Sequence, residues 1–110
     1  MRGDVEAVRV ELARARAGVA DLEAEYAALA DPENPALDDE HDSEGSTVGF
    51  ERARVAGLLV RSWRQVAELE AAVERAADGS YGYCVSCGRP IGRERLAALP
   101  ATRVCIACAR

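Results

Sequence analysis

Residues 84–108 read CVSCGRPIGRERLAALPATRVCIAC. Cys84, Cys87, Cys105 and Cys108 form two Cys-x-x-Cys pairs with 17 residues between them, a spacing that lets four thiolates converge on one tetrahedral zinc ion. A lone Cys-x-x-Cys also suits thiol exchange, but two pairs at this spacing favour one structural zinc over a disulfide or a redox dithiol. The metal also answers a folding problem. From Tyr81 to Arg110 the larger aliphatic side chains are Val85, Ile91, Leu96, Leu99, Val104 and Ile106, too few for an independent core, so metal binding is expected to be part of folding. Gly88 lets the backbone turn so that amides face the sulfurs. Arg93 to Leu99 predicts a short helix ended by Pro100. Tyr81 and Tyr83 are expected to pack this knob against the preceding helix.

Working back from the knob, a second pattern fills the rest of the chain. Val5, Val8, Leu12, Ala15, Val19, Leu22, Tyr26 and Leu29 recur at steps of three and four, a heptad seam on a helix over 5–30. Asp4 is the expected N-cap, Gly18 either weakens the helix or admits a close neighbour, and Asp31-Pro32 and Asn34-Pro35 stop it. A second run begins near Val48 and passes through Val55, Leu59, Ser62, Val66, Leu69, Val73 and Ala76, with Gly79 as its left-handed terminator. Phe50, Leu58 and Trp63 lie beside this seam and are expected to widen it or cover one end. Two such helices bury their stripes as an antiparallel hairpin. The expected fold is therefore mostly α: a coiled-coil hairpin over 1–79 followed by a four-cysteine zinc finger over 80–110.

The formal charge of −5 divides unevenly along the chain. Residues 1–80 carry nine arginines against eighteen acids, whereas residues 81–110 carry Arg89, Arg93, Arg95, Arg103 and Arg110 against Glu94. An acidic arm joined to a basic knob is unsuited to wrapping a nucleic-acid duplex. The connection over 31–47 holds Asp31, Glu33, Asp38, Asp39, Glu40, Asp42 and Glu44 and makes an acidic tip. Its spacing does not fit an EF-hand loop. By composition it reads as a solvated acidic loop, and its place at the end of a hairpin also suits a divalent cation or a basic wall. His41 reads as a loop residue and not as a ligand or catalyst. No stretch approaches the length of a membrane span and the first residues carry several charges, so the expected compartment is the cytoplasm, where thiols stay reduced and free to bind metal.

The hairpin layout, followed by Tyr83-Cys84-Val85-Ser86-Cys87-Gly88-Arg89-Pro90-Ile91, Arg95-Leu96, Pro100 and Cys105-Ile106-Ala107-Cys108, resembles the DksA/TraR family of bacterial transcription regulators. The resemblance is specific over 79–108 and architectural over 5–78. It implies a protein that binds RNA polymerase through the secondary channel, with the zinc knob outside and the tip directed toward the active centre, and without sequence-specific DNA recognition. The family's tip motif, Asp-x-x-Asp-x-Ala, falls best on Asp39 and Asp42, with Asp38 as a further participant and Glu44 where alanine is expected. Arg89, Arg93 and Arg95 become candidate docking contacts. Longer relatives continue beyond the position of Arg110 into a further helix, and Glu68, Glu70 and Glu74 stand where an alarmone-binding member carries basic residues, so cooperation with guanosine tetraphosphate is not expected. A monomer is expected. The competing readings are a nucleic-acid-binding zinc module using the terminal arginines and an interaction scaffold assembled through the heptads. Enzymatic activity is not expected, because zinc would occupy all four cysteines and no nucleophile and base are positioned.

Overall fold

The computed structural model describes residues 2–30 and 42–109, with side chains described over 5–30 and 47–109. Three helices follow in order: α1, Arg2–Ala30; α2, Asp42–Asp78; and α3, Arg93–Ala98. The chain packs as two compact units. One comprises Met1–Arg14 with Gln65–Arg110, and the other Ala15–Arg64. The start of α1 thus packs with the end of α2, and the end of α1 with the start of α2, which is the antiparallel arrangement.

The heptad seams supply the contact in both units. Every seam position named from the sequence is buried or half-buried, from Val5 to Leu29 on α1 and from Val48 to Ala76 on α2. In the first unit Val8, Leu12, Leu69 and Ala72 are buried; in the second, Val19, Val48, Val55 and Leu59. Ala72 joins the seam although it lies one step off the strict heptad, because a 3.6-residue turn drifts against a seven-residue repeat and a small side chain admits a close neighbour. In the second unit Arg54 on α2 reaches Glu25 on α1 at 3.3 Å and also bonds Glu51 on its own helix, an exposed network of small energetic weight.

Several local expectations are corrected. α1 starts at Arg2, so Asp4 sits within the first turn instead of capping it, a position where a carboxylate still complements the positive helix end. α2 starts at Asp42, six residues before Val48, with Asp42 and Glu44 in its early turns. Helix extension past a formed nucleus fixes one residue per hydrogen bond, and Ser43 and Gly45 do not prevent it. A Cβ added at Gly18 would meet nothing within 4 Å, so no neighbour uses its missing side chain. Phe50 and Trp63 do not cover the seam: they are 78% and 50% exposed. Leu58 is half-buried and does widen it. Asp38, Asp39 and His41 lie outside the described residues.

α2 ends as the sequence predicts. Gly79 has φ 85°, and the Ser80 amide reaches back to the Arg75 carbonyl at 2.9 Å, the six-to-one bond of a Schellman terminator. The Asp78 carboxylate accepts from the Ser80 amide at 2.9 Å and from the Ser80 hydroxyl. These bonds hold the Asp78 carboxyl below its ordinary value, hydroxyl first and amide second. The chain therefore turns sharply into the cysteine region.

Candidate metal centre

The cysteines stand on two knuckles. In the first, the Cys84 amide bonds the Arg89 carbonyl at 2.8 Å, the Gly88 amide bonds the Cys84 carbonyl at 2.9 Å, and the Ile91 amide bonds the Gly82 carbonyl at 2.8 Å. Tyr83 and Pro90 form an antiparallel bridge across this loop. Gly88 has φ 76°, which an L side chain adopts only under strain, so the expected glycine turn is present. In the second knuckle the amides of Cys108 and Ala109 both reach the Cys105 carbonyl, at 3.1 and 3.0 Å. The Val85 amide donates to the Arg103 carbonyl at 2.8 Å and joins the two.

All four Sγ atoms lie within 4.8 Å of one another. Cys87 Sγ and Cys105 Sγ are 3.7 Å apart, close to the edge of about 3.8 Å that a tetrahedron with metal–sulfur bonds of about 2.3 Å requires. Cys84 and Cys105 are buried, Cys108 is half-buried and Cys87 is exposed. The cluster can hold a metal ion, and its donor set of four sulfurs is the soft, closed type that suits zinc.

Electrostatics point the same way. Hydrogen bonds from the backbone of Cys105, then of Cys87 and Ser86, lower the Cys84 thiol to about 6. The backbone of Cys108 lowers Cys105. Cys108 moves the other way, up to about 12, because it shares hydrogen bonds with the Cys105, Cys84 and Cys87 sulfurs. Backbone dipoles thus favour the first thiolates, while their packed negative charge resists the last. A divalent cation removes that conflict by stabilising all four anions at once.

Around the sulfurs a small cluster unites Cys84, Ile91 and Cys105, with Leu96, Val104 and Cys108 packed against it. α3 contributes Leu96 and is followed by Pro100, as expected. Side chains outside the cysteine pattern fix the returning strand of backbone. The Tyr81 hydroxyl donates to the Pro100 carbonyl at 3.0 Å, Arg75 Nη2 donates to the Ala101 carbonyl at 3.2 Å, and Arg95 Nε donates to the Val104 carbonyl at 3.0 Å. Sequence reasoning missed Arg75 in this role; the available signal was a basic residue in the last turn of α2. Tyr81 is 6% exposed and packs as expected, but Tyr83 is 45% exposed and does not. Of the three candidate docking arginines, Arg89 and Arg93 are exposed and Arg95 is half-buried and engaged.

Residues 79–110 match the prokaryotic dksA/traR C4-type zinc finger. This segment is a DksA/TraR-type zinc finger. The RNA polymerase-binding transcription factor DksA of Caulobacter vibrioides is 45% identical over 40 residues, covering 36% of this chain and 28% of that protein. DksA of Escherichia coli K12 is 38% identical over 48 residues, covering 44% of this chain and 32% of the relative. An uncharacterised Aquifex aeolicus protein is 45% identical over 42 residues, 38% of this chain and 29% of that protein. The matched stretch therefore spans under a third of the length of these curated relatives. Likeness in structure runs further than likeness in sequence. The transcription factor DksA2 of Pseudomonas aeruginosa superposes with a TM-score of 0.72 at 28% identity, over 97% of this chain and 81% of the other. The likeness to DksA/TraR proteins thus rests in sequence on the finger, with the helices agreeing in fold.

Proposed function

We propose that this DksA/TraR protein binds bacterial RNA polymerase through the secondary channel and modulates transcription without catalysing a reaction, with one structural zinc held by Cys84, Cys87, Cys105 and Cys108. The observation that carries this reading is the likeness to DksA2 across 97% of the chain, combined with a four-sulfur cluster of zinc-compatible geometry. The parts divide the work. The finger over 80–110 anchors, with Arg89 and Arg93 exposed to meet an acidic surface and Arg95 holding the Val104 carbonyl. The hairpin over 1–79 supplies reach, and the tip over 31–47 presents Asp38, Asp39 and Asp42 to the polymerase catalytic centre, where fixed negative charge perturbs neighbouring groups electrostatically.

Glu44 in place of the family's alanine adds a charge beside that tip, so channel binding and the transcriptional outcome separate in this protein. The working form is a cytoplasmic monomer. Among the described residues no helix is long and apolar enough to cross a membrane. The test is association of the zinc-loaded protein with purified polymerase, read by protection of the secondary-channel rim from localized cleavage. Wild type and an Asp39→Ala/Asp42→Ala variant both protect the rim if the finger anchors. Absence of protection at micromolar protein contradicts the proposal.

A further inference from the structure

The finger carries a hollow that the metal does not use. It lies between α3 and the second knuckle, holds about 640 Å³, and is lined by Ile91, Arg93, Arg95, Ala98, Leu99 and Ile106, with Glu94 as the one acid on its wall. All of these residues belong to the unit that includes Gln65–Arg110. Local structure explains the grouping. Arg95 and Ala98 stand three apart on one side of α3 and Leu99 follows at its end, while Leu96 is turned into the cluster around the sulfurs. Ile91 is buried with Cys84 and Cys105 and makes the floor.

Two of the lining side chains are large, apolar and uncovered. Leu99 is 50% exposed and Ile106 66%, although Ile91, Leu96 and Val104 already pack around Cys84 and Cys105 without them. Exposed aliphatic side chains that converge on one hollow mark a contact surface. The charge says which contact. Residues 81–110 carry five arginines against one acid, and Arg93 and Arg95 stand on this hollow. Arg95 Nε donates to the Val104 carbonyl at 3.0 Å, which holds the guanidinium in place and leaves its Nη groups for a further acceptor. A neutral apolar occupant would strip water from these guanidinium groups and return no partner. An occupant with carboxylates beside its apolar side chain avoids that cost. Among the described residues no aromatic ring lines the hollow, so bases find no stacking platform, and Glu94 repels phosphates.

We propose that this hollow is the groove in which the finger holds an acidic amphipathic segment of a protein partner, an aliphatic side chain of that segment seating against Leu99 and Ile106 while flanking carboxylates meet Arg93 and Arg95. The arrangement is that of a small interface, an apolar centre with arginines at its rim. The partner's name rests on the polymerase reading; the chemistry of the segment rests on the hollow alone.

Two measurements on the full zinc-loaded chain keep these apart. In the first, amide shifts are followed while a capped peptide of repeated Glu-Glu-Leu is added up to about 5 mM, enough to saturate a site of about millimolar Kd, beside Lys-Lys-Leu and Glu-Glu-Ser repeats and oligo(dT). The expected result is saturable shifts at Ile91, Leu99 and Ile106 with the Glu-Glu-Leu peptide, and binding weaker by about fivefold or more for the other three. Leu99→Ser/Ile106→Ser weakens the Glu-Glu-Leu peptide about tenfold. Arg93→Glu weakens it about threefold or more and decides the matter if the double variant loses its zinc. Val85→Ser, at an exposed position off the hollow, leaves it unchanged. In the second measurement the same proteins are titrated against purified polymerase, and affinity falls in the same order. Peptide shifts without polymerase binding sink the polymerase reading and uphold the groove. The groove is overturned by no shifts with the Glu-Glu-Leu peptide, by equal binding of Lys-Lys-Leu, Glu-Glu-Ser or oligo(dT), by shifts at Leu99 and Ile106 that arise from raising the protein concentration alone, or by polymerase binding as tight in a folded Leu99/Ile106 variant as in wild type.

Discussion

Chelating the metal should melt one part of this protein and spare another. From Gly82 onward Ile91 is the only buried aliphatic side chain among the described residues, alongside Cys84 and Cys105. Full burial of such a side chain contributes about 1.5–3 kcal/mol, whereas a structural zinc contributes about 10–16 kcal/mol at neutral pH. The metal term dominates the finger by several-fold. The seam between α1 and α2 contains no metal ligand and holds its own buried residues, from Val8 to Leu69. α3 contributes only 6 helical residues against 29 in α1 and 37 in α2, so its loss removes less than about a tenth of the helical signal. Treatment with a strong chelator should leave the 222 nm ellipticity almost intact while amide protection at Cys84, Ile91 and Cys108 collapses, and zinc readdition should restore it. Retained protection in metal-free protein would refute the reasoning, as would loss of most of the helical signal with the metal.

The other predictions concern named contacts. Leu69→Ala removes three carbons from a site 2% exposed; at about 0.8 kcal/mol per methylene plus a partial cavity term, chemical denaturation should show a loss of about 2.5–3.5 kcal/mol. Gly79→Ala meets no steric obstacle but places a Cβ at φ 85°, so its loss should be only about 1–2 kcal/mol, read from the same transition. Asp78→Ala should lower stability near neutrality, and the gap from wild type should close on acidification. The Asp78 carboxyl is lowered in the folded state by its Ser80 hydrogen bonds. Its contribution is therefore complete above the unfolded value of about 3.9 and vanishes as pH falls through the folded one; a gap that widens toward pH 2 would contradict this. Removing Arg54 should leave the denaturation midpoint essentially unchanged, because its pairs with Glu25 and Glu51 are exposed.

The parts of the fold legible in the sequence were those encoded by spacing. A step of three and four is a statement about one helix face, and the seams from Val5 to Leu29 and from Val48 to Ala76 are inside as that rule requires. The Cys-x-x-Cys pairs are equally local, since two residues between ligands set the knuckle size. Gly79 was readable because its φ is one that other residues resist. Helix starts were less legible: Asp, Ser and Gly suit both a loop and a first turn, so Asp42 to Thr47 read as connection although the backbone is helical. Phe50 and Trp63 were misplaced because hydrophobicity says that a side chain prefers cover, not that a neighbour exists to provide it. Tyr81, Arg75 and Arg95 act through backbone carbonyls over 100–104, and no residue pattern marks a carbonyl as a partner.

The central claim is that the hairpin enters the polymerase secondary channel. A photo-crosslinking amino acid in place of Ser43, at the start of α2, tests it most directly when the zinc-loaded protein is mixed with purified polymerase and the crosslinked peptides are mapped. The account predicts crosslinks to peptides lining the secondary channel near the catalytic centre, lost when excess unlabelled wild type competes. Crosslinks confined to the outer surface of the enzyme, or none under conditions where the two proteins co-purify, would contradict it.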